Sequence, residues 1–270
     1  MKKTILFLVF LIAVQFVNAQ ILPTYTKPKL KEKVVPKPKP KPQPIPTFTE
    51  PEMVFVQGGT FSMGSNSGEA DEKPIHSVTL SSFKIGKYEV TQAQWHAVMG
   101  SNPSYFKGCA TCPVEQVSSN DIQEFLKKIN QLTGKNYRLP TEAEWEFAAR
   151  GGNRSQGYTY AGSNTLSNVA WYDYKSNSKT HPFGHKQANE LGIYDMTGNV
   201  DEFCSDFYDN TYYTNSPSSN PKGPTSDYTR VLRGGSWYSS PTYCRVADRG
   251  YSDGLSGRYN SVGFRVALSQ

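Results

Sequence analysis

No apolar run in this sequence reaches the ~20 residues that a membrane-spanning helix needs. The run from Ile5 to Val17 falls short of it, and nothing after residue 19 comes closer. Histidine and cysteine are scarce, four of each. His181 and His185 sit four apart, but Pro182 and Gly184 between them exclude a helical metal pair. No glycine-rich phosphate loop follows a strand, no paired catalytic carboxylates stand out, and no repeat of 20–50 residues is apparent. The formal charge of +6 is also absent from most of the chain. Lys2, Lys3 and the seven lysines of residues 20–50 belong to the N-terminal part, against only Glu32 and Glu50, so residues 51–270 balance at −1. A nucleic-acid-binding reading of that region therefore loses its electrostatic support.

What is present begins with an export signal. Lys2 and Lys3 precede the apolar run, and Val17-Asn18-Ala19 offers small residues at a cleavage site after residue 19. The expected location is exported: periplasmic, cell-surface or secreted, and not transmembrane after cleavage, with a retained anchor as the alternative. Residues 20–50 hold eight prolines and seven lysines around "PKPKPKPQPIP" at 36–46. Proline fixes φ and removes donors, so this reads as an extended spacer in which the eleven-residue core spans on the order of 34 Å. It could hold the following domain off a cell-envelope surface, or be a basic tail without a partner. Residues 51–270 then form one domain, long enough to bury roughly 70% of its unfolded surface.

Three segments show helical periodicity. "TQAQWHAVMG" opens on a capping Thr91 and stops at Gly100; "SSNDIQEFLKKINQLTG" places Ile122, Phe125, Leu126, Ile129 and Leu132 on one face; "PTEAEWEFAARGG" carries a capping box from Thr141 to Glu144. The acidic look of the third is accounted for by helix caps and surface pairs. Short strands such as "MVFVQGGTFSMG" and "SVTLSSFKIGKYEV" alternate with loops, and after Gly151 periodicity almost vanishes. A loop-rich chain of this length needs metals or disulfides to hold it.

Six motifs occur in order: "GGTFSMGS" (58–65), "YEVTQAQW" (88–95), "RLPTEAEWEFAAR" (138–150), "GIYDMTGNVDEF" (192–203), "VLRGGSW" (231–237) and "GFRVA" (263–267). Together they resemble the formylglycine-generating enzyme, or sulfatase-modifying factor, family across residues 51–270. The resemblance implies a single compact α+β domain of low regular secondary structure, related to the C-type lectin fold and carrying calcium. The founding enzymes oxidise a sulfatase cysteine to formylglycine with oxygen and a copper ion held between two cysteines, while other branches only bind ligands. Membership settles fold and leaves function open.

The resemblance places the second copper cysteine at Cys244 and a pocket serine at Ser236. The first cysteine falls on Ser239, and a pocket-wall tryptophan falls on Asp201. Copper(I) favours soft thiolates, whereas a serine hydroxyl is hard and stays protonated, so copper is not expected. In an exported chain four cysteines are expected in pairs, Cys204 with Cys244 and Cys109 with Cys112. A redox Cys-x-x-Cys at 109–112 and a four-cysteine zinc site are the rival readings. Calcium is expected at Asp195, the carbonyls of Gly198 and Val200, and Glu202, an all-oxygen set that suits a hard cation. A second family site starts with an Asn and the next carbonyl, which match Asn168 and Val169, but its later acidic ligand has no counterpart.

The C-terminal loops read as a recognition surface. Trp237, Tyr238, Ser239, Ser240, Thr242, Tyr243, Asp248, Tyr251, Ser252, Asp253, Tyr259 and Asn260 combine rigid tyrosines with adaptable polar groups, the chemistry of antibody paratopes. They also resemble the variable segment of ligand-binding proteins diversified by retroelements, which ends in "GFR". The expected function is an exported, calcium-stabilised module that binds a protein or small ligand through these loops. The alternatives are a formylglycine-generating oxidase and a structural component of the envelope.

Overall fold

The computed structural model describes residues 47–269; the expected export signal and most of the expected Lys/Pro spacer lie outside them. Packing starts at Phe48, which rests on a cluster built around Trp95, Phe125 and Phe264. Three sheets organise the domain. In the first, the strands β1 (Met53–Val56), β4 (Phe83–Gly86), β10 (Ala267–Ser269) and β5 (Tyr137–Arg138) lie in the order β1-β4-β10-β5, all antiparallel. The C-terminal strand β10 is thus central, between β4 and β5. A hairpin pairs β2 (Gly59–Met63) with β3 (His76–Leu80). The third sheet runs β8 (Gly250–Tyr251), β7 (Arg230–Arg233), β6 (Asp201–Phe207), β9 (Val262–Gly263), with β9 parallel to β6. This mixture of helices and small sheets in one compact unit is the expected α+β architecture.

The three predicted helices form where their caps lie. Thr91 and Gly100 bound α1 (Gln92–Met99), Ser118 and Gly134 bound α2 (Ser119–Thr133), and Thr141 caps α3 (Glu142–Ala149) with a reciprocal bond from Glu144. A one-turn helix, α4, spans Leu166–Val169. Trp95 stacks on Phe125 at 5.2 Å and Phe264 closes on both edge-on, so α1 and α2 are fastened to the C-terminal segment. Leu132, expected on the packed face of α2, is instead 58% exposed, in the last turn after the face from Ile122 to Ile129 has ended. None of the helices among the described residues is long and apolar enough to cross a membrane.

The acidic residues of α3 are not the solvated surface expected of them, because every residue of the helix is buried. Arg233 of β7 reaches Glu142 at 3.3 Å and also pairs with Glu146, while Arg249 meets Glu142 at 2.7 and 3.0 Å. Burying a carboxylate alone is prohibitive, so each is held against a guanidinium. The partners of Glu142 come from positions 91 and 107 residues away, which no local pattern reveals, whereas Glu144 and Glu146 also have the nearby Arg138 and Arg150.

Candidate functional site

The turn after β7 brings the pocket residues together. Gly235 has φ +71°, and a Cβ on it would lie 2.8 Å from the Tyr243 carbonyl oxygen and 2.9 Å from Cys244 Sγ. Glycine therefore lets the strand end press directly on the cysteine. Ser239 Oγ accepts from the Ser236 backbone N–H at 3.0 Å and lies 3.1 Å from Ser236 Oγ. A 3-10 turn over Pro241–Cys244 then carries Cys244 inward, against Leu166, Val169 and Ala170.

The chemistry of this turn is not that of a copper site. Burial pushes the Cys244 thiol well up, and the carboxyls of Asp201 and Asp248 push it further. Burial, helped by Asp248, pushes Asp201 itself up to about 7. Where the family enzymes present a second thiolate and an aromatic wall, the chain presents the Ser239 hydroxyl and the Asp201 carboxyl. A single protonated thiol beside hard oxygen groups does not fit copper(I).

Nor is Cys244 half of a disulfide. The expected Cys204–Cys244 bridge is not formed, and both cysteines are free and buried. Cys204, on β6, packs into the cluster around Trp145 and Phe147, whereas Cys244 packs into the separate cluster on α4. Each thiol is enclosed by its own apolar neighbours, which behave toward it as toward a small hydrophobe. Cys109 and Cys112 do form the expected local disulfide, with Cα atoms 5.3 Å apart.

The calcium residues are divided. Asp195 sits at φ +55° with Oδ2 accepting from the Gly184 N–H at 2.8 Å, while its Oδ1 is buried without a partner. Glu202, by contrast, is already engaged: Arg265 donates to its two oxygens at 2.5 and 2.6 Å and Trp145 Nε1 at 2.7 Å. Glu202, expected as a calcium ligand, is committed to the Arg265 guanidinium. A carboxylate missed in the sequence, Glu89, accepts from Asn199 Nδ2 at 2.7 Å and the Val200 N–H at 3.3 Å. Burial raises its pKa well above the ordinary value, and the nearby Asp195 and Glu202 carboxylates add to the shift. Glu89, Asp195 and Glu202 are thus three buried carboxyl groups near one Arg265, which bonds Glu202 alone of the three, and the unpartnered Asp195 Oδ1 is a hard oxygen of the kind a divalent cation takes. No group of three or more His, Cys, Asp or Glu side chains converges on one point among the described residues, so main-chain carbonyls such as Gly198 and Val200 would have to complete the shell. The Asn168 carbonyl accepts from Gln187 N–H at 2.9 Å, and Val169 packs in the α4 cluster.

The expected recognition residues separate into two kinds. Tyr238, Tyr243, Tyr251 and Tyr259 are exposed, Thr242 and Asp253 lie open beside them, and Ser240 is half-buried. Trp237 is half-buried and donates through Nε1 to the Asn260 carbonyl at 2.9 Å, which ties the two loops together. Asp248 and Ser252 are corrected to structural roles. Asp248 is buried against Arg245 at 3.2 Å, and Ser252 Oγ accepts the Arg230 N–H at 2.9 Å and donates to the Gly254 carbonyl at 3.0 Å. Tyr251 meets Tyr208 at 4.7 Å with the rings tilted by 34°, while the Trp237 indole meets Phe106 at 5.3 Å from a loop 131 residues earlier. Tyr105 and Phe106 were not expected at this surface; the only local signal is two adjacent aromatics in a polar loop.

Comparison with known proteins agrees with this geometry. Residues 38–270 match the family model described as "Sulfatase-modifying factor enzyme 1-like domain". The chain is 36% identical to the chaperone protein LppX of Paenibacillus barcinonensis, over 83% of this chain and 91% of that protein. It is 32% identical to the formylglycine-generating enzyme of Streptomyces coelicolor, over 79% and 88%. The solved structure of Treponema denticola variable protein 1 superposes with a TM-score of 0.75 at 33% identity, covering 80% of this chain and 94% of that one. The chain belongs to the sulfatase-modifying factor, or formylglycine-generating enzyme, family.

Proposed function

We propose that this family member is an exported binding module, not an oxidase, and that its C-terminal tyrosine-bearing loops contact a protein or small ligand. The observation that carries the reading is the exchange around Cys244: a hydroxyl at Ser239 and a carboxyl at Asp201 stand where copper chemistry needs a thiolate and an aromatic wall, and the thiol is enclosed. Next to this closed turn, Tyr238 and Tyr243 are 69% and 55% exposed. Exposed tyrosines on loops braced from below supply rigid contact area at low entropy cost. The likeness to a protein named as variable supports the same reading.

Calcium is part of the proposal, as a stabiliser bound at Asp195. It would neutralise carboxylate charge there and take no part in chemistry. The test of the central reading is to incubate the protein with copper and a peptide containing Cys-x-Pro-x-Arg. The expected result is no aldehyde, and robust aldehyde formation would overturn the reading.

A further inference from the structure

The exposed aromatics do not end at the C-terminal loops. Tyr105 and Phe106 meet at 5.0 Å and 89°, Phe106 meets Trp237 at 5.3 Å and 89°, and Trp237 meets Tyr238 at 5.6 Å and 58°. The four rings form a strip whose ends, Tyr105 and Tyr238, are 66% and 69% exposed. The strip is held from beneath. Glu115, fully buried, accepts from the backbone N–H groups of Tyr105 at 3.0 Å and Phe106 at 2.9 Å, and Gln92 Nε2 donates to the Phe106 carbonyl at 2.8 Å. The Cys109–Cys112 disulfide closes the same loop a few residues on. A surface ordered this way loses little entropy on binding.

The segment 173–186 is bonded to both loops that carry the strip, beside Tyr238 at one end and at Thr111 at the other. The Asp173 N–H donates to the Ser239 carbonyl at 3.2 Å, and the Phe183 N–H donates to the Thr111 carbonyl at 3.1 Å. This segment carries Lys175, Lys179 and Lys186, and Lys107 adjoins Phe106. None of these four lysines is paired with a carboxylate among the described residues. Lys186 instead lies over the Trp171 ring at 4.1 Å. Asp173 is the one exposed carboxylate within the segment, so the segment is cationic on a domain whose overall balance is −1.

We propose that this aromatic strip, with its lysine flank, is the docking surface for an acidic, aromatic-containing segment of a protein partner. The inference rests on the binding reading above and names its partner class. Charge complementarity sets the sign of the partner. The ring planes set its kind: successive rings turn by 58–89°, which leaves notches for side chains instead of a flat platform for sugar rings. Aromatic anchors bordered by a polar, charged rim are the usual arrangement of protein hot spots.

The test uses the full chain and three soluble polymers: a glutamate–tyrosine copolymer, a lysine–tyrosine copolymer and dextran sulfate, with binding followed at low and physiological salt. The expected result is binding of the glutamate–tyrosine copolymer alone among the polypeptides, more weakly at higher salt. Lys175→Glu combined with Lys179→Glu, both exposed, should weaken it roughly tenfold, and Phe106→Ala comparably. Thermal melting of the variants identifies any that have lost the fold. The proposal is overturned if both copolymers bind alike, if nothing binds, if dextran sulfate binds more tightly, or if the lysine variants bind unchanged. Loss of binding in Tyr243→Ala but not in Phe106→Ala would leave the binding reading standing and refute this extension of it.

Discussion

Ser239 Oγ lies 3.1 Å from Ser236 Oγ in the turn that delivers Cys244 to the interior. Ser239 stands at the position where the family resemblance places the first copper cysteine. Ser239→Cys should restore a pair of soft ligands, since copper(I) binds thiolates far more strongly than hydroxyls. The variant is expected to withdraw one equivalent of copper(I) from a chromogenic chelator, and the unmodified protein none. Equal uptake by both would mean that Ser239 is not what excludes the metal.

The two buried cysteines make a separate prediction. Both thiols are enclosed and pushed up in pKa by burial, so neither should react with a thiol reagent in the native protein. Two should react after denaturation without reductant, because only Cys109 and Cys112 are joined. A peptide map that joins Cys204 to Cys244 would contradict this arrangement.

Arg233 is fully buried between Glu142 and Glu146. Arg233→Met leaves the Glu146 carboxylate with one partner fewer in an apolar interior, a change that costs about 3–5 kcal/mol. For a domain of this size the midpoint of thermal unfolding should fall by on the order of 10 °C. A shift of only a degree or two would show that the network relaxes around the loss.

Asp206 gives stability a pH dependence. Burial, followed by the nearby Glu142 carboxylate, raises its pKa from 3.8 to about 7. Between those values the folded chain holds a proton that the unfolded chain has lost. Its contribution is therefore complete below the unfolded pKa and disappears as pH rises through the folded one. Asp206→Asn should remove a slope that amounts to a few kcal/mol between roughly pH 4 and 7. Denaturant titrations of both proteins across that range would measure it, and parallel curves would refute it. Asn retains an oxygen to accept the Glu142 N–H, now at 2.9 Å.

Chelation tests the calcium proposal. Adding EGTA should lower the melting temperature of the protein, and calcium should restore it more fully than magnesium, because calcium accepts the larger and less regular oxygen shell. Asp195→Asn should melt at the same temperature with and without the chelator. Calcium sensitivity that survives in this variant would move the ion elsewhere.

Much of the scaffold could be read along the chain. The caps at Thr91, Ser118 and Thr141, the glycine stops at Gly100 and Gly134, and the apolar stripe of α2 depend on residues within a turn of one another. The Cys109–Cys112 disulfide spans three positions and was legible for the same reason. The site was harder to read, because its contacts cross long distances. Phe106 reaches Trp237 across 131 residues, Glu89 reaches Asn199 across 110, and Arg265 reaches Glu202 across 63.

The sequence by itself determined the family, the three longer helices and the serine at the position of the first copper cysteine, because each of these resides in residue identity or in short-range periodicity. Only the tertiary structure decided that Cys204 and Cys244 stand in different apolar clusters, that the acidic face of α3 is buried against arginines, and that Asp248 and Ser252 serve as struts. The physical reason is that desolvation and pairing depend on what surrounds a group in space. A thiol, a carboxylate or a hydroxyl has the same character in any sequence, and its neighbours on folding decide whether it reacts, binds or holds the structure.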